Sequence, residues 1–469
     1  MNIPQLLPSQ LGRREFLRGG GLGVGSMALA SLLGRAAQAG TSPRPHFAPR
    51  AKNIIYLHMV GAPSQLDLFD HKPALNEHHG KLCPKEFIEG KRFAFIKGHP
   101  KLLGSEFEFA PRGESGQMMS EIQPHLAEVA DELAVIRSVH TEEFNHGPAQ
   151  VFLMSGFGRQ GRPSLGSWVT YGLGSENDDL PAFVVLKNGK APGGGSSLWG
   201  QGFLPSRYQG VEFRTRGEPI LFVSDPQGLS RQTRSDMIGD ISALNRLQYD
   251  SLGDPEILTR IDSYELAFRM QTSVPDLMDI ADESRETLDL YGAKPGAGSF
   301  ANSCLLARRL VERGVRFIQL CDNAGSWDHH QAVANNLRKK CRQTDQPIAA
   351  LIKDLRQRGL LEDTLIVWGA EFGRTPMLQG DKLKGAGRDH HKDAYTVWMA
   401  GGGVKGGVSY GRTDDLGYSI AENPVHINDL HATILHLLGL DHEDLTYRFQ
   451  GRDFRLTDVA GRVIHDVIA

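Results

Sequence analysis

One pattern constrains this chain more than any other: an apolar run that needs burial, ending in a cluster of carboxylates and imidazoles. Val315-Arg316-Phe317-Ile318-Gln319-Leu320-Cys321 is followed by Gly325-Ser326-Trp327-Asp328-His329-His330. The first stretch is rich in β-branched and aromatic residues and reads as a buried strand. The second sets Asp and His, ligand types that suit zinc, manganese or iron, just beyond the strand's C-terminal end.

The pattern recurs along the chain. Asn53–Val60 leads into Gly61-Ala62-Pro63-Ser64-Gln65-Leu66-Asp67, and Leu133–Val139 into His140-Thr141-Glu142-Glu143-Phe144-Asn145-His146. Thr364–Trp368 leads into Gly369-Ala370-Glu371-Phe372-Gly373-Arg374, and a loop, Gly387-Arg388-Asp389-His390-His391, feeds Tyr395–Ala400. Ala182–Leu186 reads as a further strand, while Glu121–Glu132, Ser164–Leu173, Ala301–Arg313 and Ala332–Gly359 carry helical spacing. Strands alternating with helices predict an α/β fold with a mainly parallel sheet covered on both faces. Residues 236–292 read as a helical insertion on it. In such sheets the strand C-termini share the edge where ligands bind, so the polar clusters should converge there. Thr141 stands between a strand end and a helix start, where backbone N–H groups favour anions. Arg374 suits planar recognition of an oxyanion.

Composition removes several function classes. The chain has 469 residues and a net charge of −3, without a long basic run, so nucleic acid is not an expected partner. Cys83, Cys304, Cys321 and Cys341 have no C-x-x-C spacing and form neither a zinc-thiolate motif nor a disulfide framework, though one or two disulfides stay open. The Gly-rich segment 190–205 lacks the pattern of a nucleotide cradle and reads as a mobile loop.

The N-terminus reads as an export signal. Arg13-Arg14-Glu15-Phe16-Leu17 precedes small and apolar residues, and Ala37-Gln38-Ala39 supplies a cleavage site. The apolar run is shorter than the roughly 20 residues of a membrane span. The paired arginines resemble the bacterial twin-arginine signal, so residues 1–39 are expected to direct export to the periplasm or beyond. Residues 40–50 read as a linker, and 51–469 as a single domain.

Taken together, Asp328-x-His330, Glu371-Phe372-Gly373-Arg374-Thr375-Pro376, Asp389-His390-His391, Asp429-Leu430-His431-Ala432-Thr433, Gly61–Asp67 and Asn145-His146-Gly147-Pro148-Ala149 resemble a bacterial family. It is domain-of-unknown-function 1501, grouped with the alkaline phosphatase and sulfatase superfamily, and the resemblance spans essentially all of residues 51–469. It implies a three-layer α/β/α sandwich with a one- or two-metal site that hydrolyses phosphate or sulfate esters of small molecules or glycans. Asp328 and His330, with His391 or His390, would match the ligands of one divalent ion (zinc, manganese, iron or calcium). Asp67, or else His58, with Glu371 would match the second. Thr141 would be the nucleophile, His146 the leaving-group acid and Arg374 the oxyanion partner. The chain departs from the superfamily at Glu371-Phe372, where Asp-His is common, and at His58, where Asp is common. It also lacks the Cys-x-Pro-Ser-Arg of formylglycine sulfatases. These departures keep a rival open, an exported non-catalytic protein that uses the same pocket to bind an anionic glycan or ligand.

Overall fold

The computed structural model describes residues 44–91, 93–215, 219, 230–380 and 382–469, and in it the apolar runs become strands of a nine-stranded sheet. The expected export signal lies outside the described residues. In chain order the sheet strands are β1 (Asn53–His58), β2 (Leu133–His140), β3 (Phe183–Lys187), β4 (Val211–Phe213), β5 (Phe317–Cys321), β6 (Thr364–Gly369), β7 (Tyr395–Ala400), β8 (Val408–Tyr410) and β9 (Val425–His426). Across the sheet the order is β8-β2-β7-β6-β1-β5-β3-β4, with β9 also pairing with β2. Neighbours are parallel except at β7, which is antiparallel to both β2 and β6. The C-terminal ends of β1, β2, β5 and β6 therefore share one edge. Reversed β7 brings its N-terminal end, and the residues before it, to that same edge.

Among the described residues, eight helices of seven residues or more cover the sheet or extend from it: α1 (His146–Ser155), α2 (Leu165–Leu173), α3 (Arg231–Leu252), α4 (Pro255–Met278), α5 (Arg285–Tyr291), α6 (Phe300–Glu312), α7 (Val333–Gln357) and α8 (Ile427–Leu437). Side chains alternate across a strand, and here both faces are apolar. Ile55, Leu57, Ile318, Leu320 and Ile366 pack with Leu305 and Leu310 of α6 and Leu337 and Ile352 of α7. Their strand neighbours Ile54, Tyr56, Phe317, Leu365 and Val367 pack instead with Leu153 of α1, Trp168 of α2 and Ile434 of α8. The result is a three-layer α/β/α sandwich. In the expected helical insertion, α4 sends Val274 and Leu277 into the first of these cores, whereas α3 buries only Ser242.

Local expectations fail in two places. Glu121–Glu132 is not an α-helix: a 3₁₀ run covers Leu126–Glu132 and breaks at Val129. Pro124 lacks an N–H and restricts the residue before it, and the Asp345 carboxylate takes the N–H groups of His125 and Leu126 instead. Gly387–His391 is not a loop but a strand, paired antiparallel with Gly373–Gln379. All four cysteines are buried and free. No helix among the described residues is long and apolar enough to cross a membrane.

Phe317 is fully buried and meets Phe183 edge-on, with ring centroids 4.9 Å apart. Phe317→Ala should lower stability by about 3–5 kcal/mol, read as a fall in the urea midpoint followed by tryptophan fluorescence.

Candidate metal centre

The shared strand edge gathers four polar side chains from three segments. His146 opens α1 after β2, Asp328 and His330 follow β5, and His390 lies on the strand that runs into β7. One ligand atom of each lies within 4.8 Å of the others. Close backbone approach makes this assembly fit. Gly61 sits at φ +112°, and a Cβ there would stand 2.8 Å from the Asp328 nitrogen. A Cβ on Gly387 would meet the His330 carbonyl at 2.0 Å, so any larger residue would push the hairpin off the cluster.

The geometry centres on one oxygen. Asp328 Oδ1 lies 2.9 Å from His330 Nε2, 3.3 Å from His146 Nε2 and 3.5 Å from His390 Nε2. Arg374 Nη2 donates to the same oxygen at 2.6 Å. Each imidazole is held from behind through Nδ1: His146 on Glu371 Oε1 at 2.7 Å, His330 on Gln379 Oε1 at 2.5 Å, and His390 on the Phe144 carbonyl at 2.8 Å. These oxygens accept hydrogen bonds, so each Nδ1 carries a proton, and wherever the ring is neutral its Nε2 lone pair turns inward. The buried Nε2 atoms of His146 and His390 have no hydrogen-bond partner. Three lone pairs facing a carboxylate oxygen repel one another unless a cation lies between them. Imidazoles oriented through Nδ1 by outer acceptors are the usual arrangement around a metal ion. The set therefore fits a divalent transition metal. The side chains of His146, Asp328 and His330 are each 26% exposed, which leaves one side open.

The other expected site residues are placed as follows. Asp67 is buried, bonded to Arg388 at 2.8 Å and to the Ser64 hydroxyl at 2.6 Å. His391 points away from the cluster, its Nε2 2.6 Å from the Tyr418 carbonyl and its ring stacked on Tyr418. Glu371 stands behind His146: its Oε1 takes the His146, Gln150 and Gly61 N–H groups, and its Oε2 lies 3.5 Å from His58 Nε2. Arg374 is buried, with donors on the Ala62, Gly61 and Arg388 carbonyls besides Asp328, so its guanidinium clamps the site from beneath. Thr141 is buried, its hydroxyl without a hydrogen-bond partner and its N–H on the Lys392 carbonyl.

Sequence reasoning missed the supporting shell. Phe372 packs under the imidazoles, 4.6 Å from His390 and 4.9 Å from His146 by ring centroids. Gln379 and Phe144 lie in ordinary loop or strand contexts that carry no chemical signal. Asp389 holds the Phe95 and Ile96 N–H groups, which sets the Phe95 ring edge-on to His330 and His390.

Electrostatics follow from this packing. Burial opposes charge on His146, yet Asp328 and Glu371 on its two nitrogens outweigh it and raise its pKa to about 9. Burial would raise Asp328, but the three histidines and Arg374 hold it well below the usual carboxylate range. His390 is lowered, chiefly by burial, against the opposing pull of Asp328. In the metal-free protein the added cation is thus a proton on His146. A folded-state pKa above the ordinary 6.5 stabilises the fold below pH 6.5, and that contribution fades as pH rises through about 9. Chelator-treated protein should lose melting temperature between pH 6.5 and 9 more steeply than the His146→Gln variant, which calorimetry would show.

Comparison with known proteins adds the following. Solved structures similar to this chain include a TAB5 alkaline phosphatase variant with Mg bound, at 13% identity, TM-score 0.36, covering 84% of this chain and 99% of that one. The PsFucS1 sulfatase from Pseudoalteromonas sp. is similar at 14% identity, TM-score 0.34, over 89% and 72% of the two chains. The lipoteichoic acid synthase LtaP from Listeria monocytogenes is similar at 12% identity, TM-score 0.34, over 87% and 77%. No curated protein matches the chain. Residues 51–468 match the family described as "Protein of unknown function (DUF1501)", and the chain belongs to that family.

Proposed function

We propose that this chain is a metal-dependent hydrolase of phosphate or sulfate esters, exported through its first 39 residues. One observation carries the reading: three imidazoles, each fixed through Nδ1, turn Nε2 toward one carboxylate oxygen at a partly open site. His146, His330, His390 and Asp328 would hold the ion. Three nitrogens favour zinc, iron or manganese and disfavour calcium, which takes six to eight oxygens. Such an ion supplies Lewis acidity toward an ester oxygen and lowers the pKa of water.

The protein's own groups do the positioning. Arg374 keeps Asp328 ionised and aimed, and Glu371 keeps the proton on His146 Nδ1. Phe372 and Phe95 wall the imidazoles with apolar surface, which strengthens electrostatic interactions inside the pocket. Thr141 remains a candidate nucleophile, and Thr141→Val separates it from water. Unchanged turnover in that variant would remove Thr141 from the mechanism.

Metal content of the mature chain, purified without chelator or affinity histidines, should show a transition metal by elemental mass spectrometry. Asp328→Ala should abolish both the metal and turnover on a panel of phosphate and sulfate esters, whereas Asp67→Ala should keep the metal at the cost of stability. Metal retained in Asp328→Ala would refute the ligand set, and metal without turnover on any ester would favour the binding-protein rival. Glu371→Gln should weaken metal affinity about 10- to 100-fold, measured by competition with a chromophoric chelator.

A further inference from the structure

A cavity of about 820 Å³ lies beside the cluster and includes Asp328 in its wall. The turn after β3, the end of α5, the start of α6, the loop after β5 and α7 build the rest. The turn after β3 contributes Asn188, the start of α6 contributes Ser299 to Ala301, and α7 contributes residues at helical spacing, among them Asn336, Lys339 and Gln343.

The chemistry of this wall is one-sided. Lys340 is spent on Asp322 at 2.6 Å, and Asp328 is held by Arg374, so both acidic groups of the wall are compensated. Lys339 and Arg342 are exposed and have no partner among the described residues. Asn188 is 8% exposed; its Oδ1 accepts the Ser303 hydroxyl, while its buried Nδ2 has no partner. The N–H groups of Phe300 and Ala301 begin a 13-residue helix, and first-turn donors have no partner within a helix. The aromatic residues of the wall, Tyr291 and Phe300, are buried and offer no face for stacking. An unpaired amide donor, backbone donors, further amides and two free cations suit hydroxyls and anionic oxygens, not an aryl, nucleobase or lipid group.

From this juxtaposition we infer that the cavity binds an anionic oligosaccharide, whose charged ester it presents to the Asp328 side of the cluster. The inference rests on the hydrolase reading only in calling that saccharide a substrate. Lys339 and Arg342 pair with acidic groups along the chain, and the amides of Asn188 and Gln343 take its hydroxyls.

The test is calorimetric binding of a heparin-derived tetrasaccharide to the full chain, with neutral cellotetraose as control. Lys339→Glu/Arg342→Glu should weaken the sulfated ligand at least about tenfold. The uncharged changes Asn188→Ala and Gln343→Ala (the latter at an exposed position that folding tolerates) should each weaken it several-fold. Cellotetraose should bind far more weakly throughout, and melting temperatures should stay close to the parent's. Loss confined to the charge-reversal variant would mark non-specific attraction and overturn the site, as would equal binding of the neutral sugar or no binding at all. Metal content, read on the same samples, separates the two ideas. The expected binding pattern in a metal-free protein would sink the hydrolase and leave the cavity assignment standing, and a metal-loaded, active protein without that pattern would do the reverse.

Discussion

The structure depends on one buried guanidinium. Arg374 reaches Asp328 through Nη2 and spends its other donors on the carbonyls of Gly61, Ala62 and Arg388. It therefore ties together the loop after β1, the loop after β5 and the hairpin that leads into β7. A charge this deep is tolerable only when it is paired and its donors are satisfied. Here the pairing group is the same carboxylate around which the imidazoles gather. The clamp that holds the fold's edge together thus also aims the candidate ligand.

A second buried ion pair extends the logic. Arg388 binds Asp67 and the Leu103 and Thr375 carbonyls, locking the hairpin to the loop after β1. Asp67, expected as a ligand, is consumed by this pair. The chain has many acidic and imidazole groups at the sheet edge, and most of them are internal struts. What separates strut from candidate ligand is whether a ring nitrogen without a hydrogen-bond partner faces the Asp328 carboxylate. His391 and Asp67 are engaged elsewhere, while the Nε2 atoms of His146 and His390 are not.

Phe372 and His58 have definite structural partners. Phe372 supplies a flat apolar support under two imidazoles. His58 and Glu371 form a buried pair behind His146.

Much of this was legible in the amino-acid sequence, because burial and periodicity are local properties. Apolar runs of β-branched residues must become covered strands, and helical spacing between them forces a layered α/β sandwich. The clustering of Asp and His after those runs marked the edge where chemistry would lie, and Asp328, His330 and His390 stood among the candidates. Tertiary structure decided the rest. His390 and His391 are neighbours in sequence, and only the strand Gly387–His391 turns one toward the cluster and the other toward Tyr418, because side chains alternate across a strand. Reversal of β7 was equally invisible, since a strand's direction leaves no mark on its own composition. His146 moved from expected acid to candidate ligand because Glu371, 225 residues away in sequence, fixes its proton on Nδ1. Local sequence determines which residues can reach an edge, but the partner behind each side chain determines what it can do there.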